Sequence, residues 1–365
     1  MARSEAILVE EVRAHAYRIP TDQPESDGTL QWDSTTLVVV EIAADGCHGL
    51  GYTYGHATVA RLIDQELAPM LLGCKVHDVR ACWLKMKDAL RNVGVPGQGE
   101  MAIAAVDVAL WDLKARLLNV PLITLLGAAR ERVPVYGSGG FTSYSLEELE
   151  RQLAGWVSQD IPRVKMKVGR DPADDPVRVQ AARMAIGPQA ELFVDANGAY
   201  DRKQALALAE QFAEQGVTWF EEPVSSDDVQ GLRLLCQRLP AGMEVATGEY
   251  GYDAFYFQHL LSQQAVDVLQ VDATRCAGIT GFLNIAELAW AFNIPLSTHT
   301  APALHLHLGC VGMRVRHIEY FHDHVRIERM LFEGMPEVQQ GCLAPDLNRP
   351  GLGLVLSQAA EKYKL

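Results

Sequence analysis

Six residues with chemically active side chains stand at near-regular intervals through this chain: Lys167, Asp195, Glu221, Glu249, Asp272 and His299. The steps between them are 28, 26, 28, 23 and 27 residues, each the length of one strand plus one helix. Each one closes or follows a short apolar run, as in Phe193-Val-Asp195, Trp219-Phe-Glu221 and Leu296-Ser-Thr-His299. The series begins earlier, at Val133-Pro-Val-Tyr136, and ends at Arg316 to Glu319. Strands over 163–168, 191–195, 217–221, 243–247, 266–271 and 294–298 alternate with helices over 146–157, 175–186, 202–215, 228–239, 253–263, 279–291 and 302–311. Repeated βα units predict an α/β fold with a parallel sheet, and this many strands favours a closed (β/α) barrel over 131–325. The polar residues then fall at C-terminal strand ends, where barrel active sites form.

The segment 1–130 reads differently. Residues 5–19 and 37–42 are expected strands, and 58–72, 77–92 and 100–120 are expected helices, giving a small α+β domain. Pro20 to Thr35, polar and rich in Asp, Pro, Gly and Ser, is either a lid loop or a disordered excursion. Trp32 and the acids Asp22, Glu25 and Asp27 favour a lid. Gly49 to His56 is glycine-rich but lacks the strand–GxGxxG–helix context, and reads as a turn. The tail, 326–365, carries Pro350-Gly-Leu-Gly353 and is expected to fold back on the first domain.

Charge and cysteine usage narrow the function. The formal net charge is -14 with no basic stripe, which argues against a nucleic-acid partner. No apolar run reaches transmembrane length, and the N-terminus lacks a signal-peptide pattern. Seven scattered cysteines without a CxxC pair suit a reducing cytoplasm.

Asp195, Glu221 and Glu249 would converge at the barrel mouth. Taken singly, each could be a helix cap or an ion-pair partner at a βα turn. Three in successive units fit a hard divalent cation such as Mg²⁺ better. Lys165 and Lys167 share one strand face on one side of that mouth, with Asp272 and His299 on the other. Asp272 can orient His299 and raise its basicity. Lys167, near a metal and a second ammonium, is expected to have a lowered pKa and so to act as a base. Such a site suits removal of a proton next to a carboxylate, with metal and Lys165 stabilising the enediolate. Acid/base groups on opposite faces permit either epimerisation or loss of a β-hydroxyl as water.

These residues resemble the enolase superfamily, mandelate racemase subgroup. The resemblance rests on Ala104-Ala-Val-Asp-Val-Ala-Leu-Trp-Asp-Leu113, Pro121-Leu-Ile-Thr-Leu-Leu-Gly127, Lys165-Met-Lys167, Asp195-Ala-Asn197, Glu221-Glu-Pro223, Gly248-Glu249, Gln270-Val-Asp-Ala-Thr-Arg275 and His299. It implies a modified TIM barrel closed by an α+β capping domain. It also implies Mg²⁺ on Asp195, Glu221 and Glu249, and Lys167 as one base. Lys165 would hold the substrate carboxylate. His299, oriented by Asp272, would be the other base or the acid, and Glu319 would hydrogen-bond the substrate carboxylate or enolate oxygen. Asn197 is expected at the substrate or the ligand shell, and Trp32, Tyr54 and His56 are further candidate substrate contacts. Glu222 is expected to pair with a lysine. Where the family often has Gly-Gly after the arginine, this chain has Cys276-Ala-Gly278. The implied reaction is dehydration of a sugar acid (aldonate or aldarate) to a 2-keto-3-deoxy acid, with racemisation or epimerisation as the alternative, in an even-numbered homo-oligomer such as an octamer.

Other groups stay open. His305-Leu-His307 lies on a helix where i and i+2 do not share a face, and reads as structural. His322-Asp-His324 would sit at the barrel rim, against substrate, a neighbouring subunit or solvent. Tyr52, Tyr54 and His56 form either a second capping loop or part of the core. A non-catalytic metal-binding relative and a Schiff-base aldolase at Lys167 are the rival functions. Solvent proton exchange excludes the first, and failure of borohydride trapping the second.

Overall fold

The structure, a computed structural model, describes residues 6–365. Three antiparallel strands, β1 (Glu11–Ser26), β2 (Gln31–Ala44) and β3 (Cys47–Tyr54), open the chain in that order across the sheet. The continuous apolar run Leu37-Val-Val-Val40 lies in β2 and is buried on both faces. Val38, Val40 and Ile42 pack with the first domain's own helices, while Leu37 and Val39 join the core that continues into the barrel.

Two sequence expectations change here. Pro20–Thr35 is neither a loop nor disordered: β1 and β2 run through it as a hairpin, and only residues 27–30 turn. The ladder shifts register between Pro20 and Glu25, as expected where a residue lacking an N–H interrupts the pairing. Gly49 to Tyr54, read as a turn, is strand β3. Its glycines serve close packing: a Cβ on Gly51 would lie 2.1 Å from the Ala105 carbonyl oxygen, and one on Gly49 2.3 Å from that of Ala109. The helix Gln98–Leu117 therefore lies directly on the strand.

That helix carries two buried aspartates that tie the molecule together. Asp107 accepts from the backbone N (2.8 Å) and hydroxyl (2.7 Å) of Thr280, at the start of the barrel helix Gly278–Ala291. Asp112 accepts from Leu50 N at 2.7 Å, Leu352 N at 2.6 Å and Arg116 Nε at 2.6 Å. The tail adds Leu365 N to Ala16 O at 2.9 Å, so it reaches β1.

The barrel strands are β4 (Val133–Gly139), β5 (Arg163–Lys167), β6 (Glu191–Asp195), β7 (Val217–Glu221), β8 (Glu244–Thr247), β9 (Val268–Val271), β10 (Leu296–Thr298) and β11 (Val315–Phe321). They pair in sequence order, all parallel, and β11 returns to β4 with Glu319 opposite Tyr136, which closes the barrel. Tyr136, Phe193, Trp219, Ala246 and Val268 form a separate buried cluster contributed by five of these strands. The helix His322–Leu331 runs across the expected boundary at 325/326. Among the described residues, no helix is long and apolar enough to cross a membrane.

Candidate active site

Register brings the charged strand ends together. Lys167 lies opposite Asp195, and Asp195 opposite Glu221. Lys165 Nζ, fully buried, sits 2.5 Å from Glu221 Oε1, 2.7 Å from Glu319 Oε1 and 3.5 Å from Asp195 Oδ2. Lys167 Nζ donates to Asp195 Oδ2, and to Asn197 Oδ1 at 3.1 Å. None of the three metal candidates caps a helix. The caps of the following helices are Asp201, Asp228 and Asp253, which removes the capping alternative.

Four buried carboxylates, Asp195, Glu221, Glu249 and Glu319, thus face two ammonium groups. The excess has consequences. Burial first, then Asp195, push the Glu221 carboxyl up to about 8 despite Lys165. Glu249 Oε2 has no hydrogen bond of acceptable geometry, although His299 Nε2 lies 3.2 Å away. Oxygens of Asp195, Glu221 and Glu249 lie within 4.8 Å of one another. An all-carboxylate donor set with surplus negative charge and an orphaned oxygen fits a hard divalent cation.

Asp272 and His299 form the opposite wall. Asp272 Oδ1 accepts from the backbone N and hydroxyl of Thr274, both at 2.7 Å. Its Oδ2 lies 2.8 Å from His299 Nδ1. Nδ1 therefore carries a proton in either charge state, and Nε2 points to Glu249 and the cavity. Burial opposes charge on His299, but Glu249 and Asp272 outweigh it and push the imidazole up to about 10. His305 supports this wall from below: its Nε2 accepts from Ala273 N at 2.9 Å, and its Nδ1 donates to Thr300 O at 2.8 Å. His307 Nε2 donates to Leu352 O at 3.2 Å, so both histidines of that pair are structural.

A cavity of about 560 Å³ opens between hairpin and barrel mouth. Lys167, Glu249, Asp272, His299 and Glu319 line its barrel side together with Asn197, and Trp32, Tyr54 and His56 line its cap side. Tyr52 instead belongs to the core, donating to Glu328 at 2.7 Å. His324 lines the cavity and stacks on Tyr54, whereas His322 pairs with Asp22 at 2.9 Å on the rim. Glu319 accepts from Ser138 Oγ at 2.6 Å and Thr300 N at 2.9 Å as well as from Lys165. Burial would raise its pKa, but the charges of Lys165, His299 and Lys167 outweigh burial and lower it.

A lowered Lys167 pKa is expected beside a bound cation; among the protein's own groups, burial favours the neutral amine, but contact with Asp195 prevails over burial and over Lys165, and the pKa rises. One expectation is corrected. Glu222 pairs with no lysine. Its Oε1 accepts from Thr247 Oγ1 at 3.1 Å, and burial followed by the nearby Glu249 charge raises its pKa well above the usual range. Sequence reasoning assigned no role to Arg275 or Tyr250 and took Asp27 only as a mark of a lid; all three line the cavity. Arg275 donates to Glu249 O at 2.8 Å, and its place three residues after Asp272 was the available signal. Ala277, where the related pattern has glycine, takes a left-handed φ of 62°, so the loop keeps the shape that glycine favours.

The chain is similar to known proteins over nearly its whole length. Residues 12–127 match the mandelate racemase / muconate lactonizing enzyme N-terminal domain, and residues 148–360 match the enolase C-terminal domain-like family. The chain is 31% identical to L-talarate/galactarate dehydratase of Salmonella typhimurium over 97% of this chain and 90% of that protein. A mandelate racemase/muconate lactonizing enzyme-like protein from Rubrobacter xylanophilus superposes with a TM-score of 0.96 at 52% identity, over 98% of this chain and 100% of that one. L-Talarate dehydratase from Polaromonas sp. JS666, solved with Mg and L-glucarate, superposes with a TM-score of 0.90 at 32% identity, over 99% and 98%.

Proposed function

The chain belongs to the mandelate racemase / muconate lactonizing enzyme family of the enolase superfamily, and from that premise we propose that it dehydrates a sugar acid to a 2-keto-3-deoxy acid. The observation that carries this reading is the pair of acid/base groups on opposite walls of one cavity, Lys167 and Asp272-oriented His299, beside the carboxylate triad.

Asp195, Glu221 and Glu249 would hold Mg²⁺, which when bound supplies positive charge against the negative charge that develops on the substrate carboxylate. The Lys165 ammonium, anchored by Glu319, adds a fixed positive charge at the same end of the pocket. Lys167 Nζ takes the proton from the carbon next to the carboxylate. Asp195, which holds Lys167 charged in this structure, is in this reading engaged by the cation, so its charge no longer opposes that role. His299 Nε2 delivers a proton to the departing β-hydroxyl, which leaves as water. The resulting enol tautomerises to the keto acid. Asp272 keeps the His299 proton on Nδ1 and the ring in place. A His299 proton returned to the same carbon from the far side would epimerise it instead, and the two-sided arrangement favours that as the second reading.

The finer setting is also proposed. All seven cysteines are unpaired, which supports a reducing cytoplasm. The reaction class supports a place in carbohydrate-acid catabolism, and family membership supports an even-numbered homo-oligomer, up to an octamer.

The test is incubation with Mg²⁺ and a library of sugar acids in deuterated water. Keto product is assayed with semicarbazide and α-deuterium by NMR. Keto product that falls by about 10²–10⁴ in Lys167→Ala and in His299→Asn establishes the dehydratase. Deuterium with inverted carbon and no keto product establishes the epimerase.

A further inference from the structure

The cavity has cations only at its barrel end. The substrate carboxylate next to the reacting carbon belongs there, near Lys165, Lys167 and the triad. The other end of the substrate must meet the cap side, formed by the hairpin and β3. Among the described residues, no lysine or arginine from the cap lines it. Its polar groups are Asp27, Trp32, Ser34, Thr35, Thr36, Tyr54 and His56. His56 Nδ1 is engaged within the cap by Thr58, 3.0 Å from its hydroxyl oxygen and 3.3 Å from its backbone N. His324 Nδ1 accepts from Ala301 N at 3.4 Å. Arg275 lies on the barrel side and is balanced by Glu249 and Asp272 carboxylates at 3.7 and 3.8 Å.

Asp27 makes this end acidic. Its Oδ1 receives Thr29 N at 2.6 Å, Thr29 Oγ1 at 3.0 Å and Leu30 N at 2.7 Å, and so fixes the hairpin turn. Its Oδ2 takes no hydrogen bond from the described residues, and the side chain lines the cavity while only 6% exposed. The Tyr54 hydroxyl is buried and also without a partner. A terminal alcohol can donate to the free Asp27 oxygen, and a substrate hydroxyl on the β3 side can accept from Tyr54. A terminal carboxylate has no proton to donate, and would face Asp27 with no counter-charge in a partly desolvated site.

We propose that the pocket selects a monocarboxylic sugar acid, an aldonate, over the dicarboxylic aldarate of the same configuration, with Asp27 as a specificity-determining residue. This rests on the sugar-acid reading above, and it sets the chain apart from the relatives named for talarate and galactarate.

The test compares matched pairs with the full-length protein and Mg²⁺: galactonate against galactarate, and gluconate against glucarate. Turnover is read as kcat/KM, and binding is measured calorimetrically on Lys167→Ala, where no product forms. The aldonate of a recognised pair is expected to lead by about tenfold or more in both measurements. Asp27→Asn should narrow that lead. So should Ser34→Arg, which adds a cation to the cap side without touching the turn. An aldarate that matches or exceeds its aldonate overturns the proposal while leaving the dehydratase intact. Deuterium exchange without keto product, with the aldonate still preferred, does the reverse. If no acid of either class binds or exchanges, both readings fall.

Discussion

Asp272 shows how one residue works through another. It touches the Thr274 backbone and hydroxyl with one oxygen and His299 with the other, so its place in the loop and its hold on the ring are the same fact. Asp272→Asn keeps the shape but can present an N–H to Nδ1, which favours the tautomer with its proton on Nε2. Turnover is expected to fall by about 10² or more while the affinity for Mg²⁺ changes little. A comparable loss of metal binding, read by calorimetry, would show that the aspartate only holds the fold. His307 makes a different prediction, about stability. It is buried with Nδ1 unpartnered, and burial drops its pKa to about 4 from 6.5. A depressed folded-state pKa means that the unfolded chain binds the proton first. This histidine's contribution is therefore complete above about pH 6.5 and is lost as pH falls to about 4, an effect of about 3 kcal/mol. His307→Gln should lose that part of the acid slope in urea unfolding between pH 7 and 4. Parallel wild-type and variant slopes would rule the account out.

At the scale of elements, β3 against the helix Gln98–Leu117 offers a contrast between glycines on one short segment. Gly51→Ala drives a methyl into the Ala105 backbone, which cannot yield, and should cost about 3 kcal/mol or more or prevent folding. Gly55→Ala meets only the Met101 sulfur at 3.2 Å and the Val59 methyl at 3.5 Å, and should cost about 1 kcal/mol or less. Equal denaturation midpoints for the two variants would contradict this packing. The same segment shows where the sequence is hard to read. Glycine required by a helix lying on a strand looks, from the sequence, like glycine required by a turn. The hairpin hid in the same way, because Asp, Pro and Ser mark turns locally whereas the β1–β2 pairing that overrides them is long-range. The barrel strand ends were legible, since a spacing near 27 residues repeats the chemistry at one height of one closed sheet. Charge states were not. The Lys167 pKa turns on whether Asp195 or Lys165 is nearer, and only the folded side chains decide that. His324 was flagged as a rim histidine, but its stacking on Tyr54 needed the cap and barrel to be placed together.

The whole molecule is knit across the cavity, and that decides how it should unfold. The cap sheet is apolar on both faces. Tyr17, Ile19, Leu37, Val39 and Tyr52 belong to the same buried cluster as the barrel's core. Polar contacts reinforce the seam: Thr53 Oγ1 to Thr274 O at 2.7 Å, Trp83 Nε1 to Ala277 O at 2.9 Å, and Asp107 to Thr280. Separating cap from barrel would expose these side chains at about 1.5–3 kcal/mol each, comparable with the whole stability of an ordinary domain. The two parts should therefore melt as one. Calorimetry is expected to give a single transition whose calorimetric and van't Hoff enthalpies agree. Residues 131–365 expressed without the cap should fail to yield a cooperatively folded barrel, because the face that Tyr52 and its neighbours cover would be left wet. Two resolved transitions, or a well-folded isolated barrel, would mean that the cap is an independent lid. The hairpin could then open without the rest, and the cap-side groups of the cavity would not be held in place before substrate arrives.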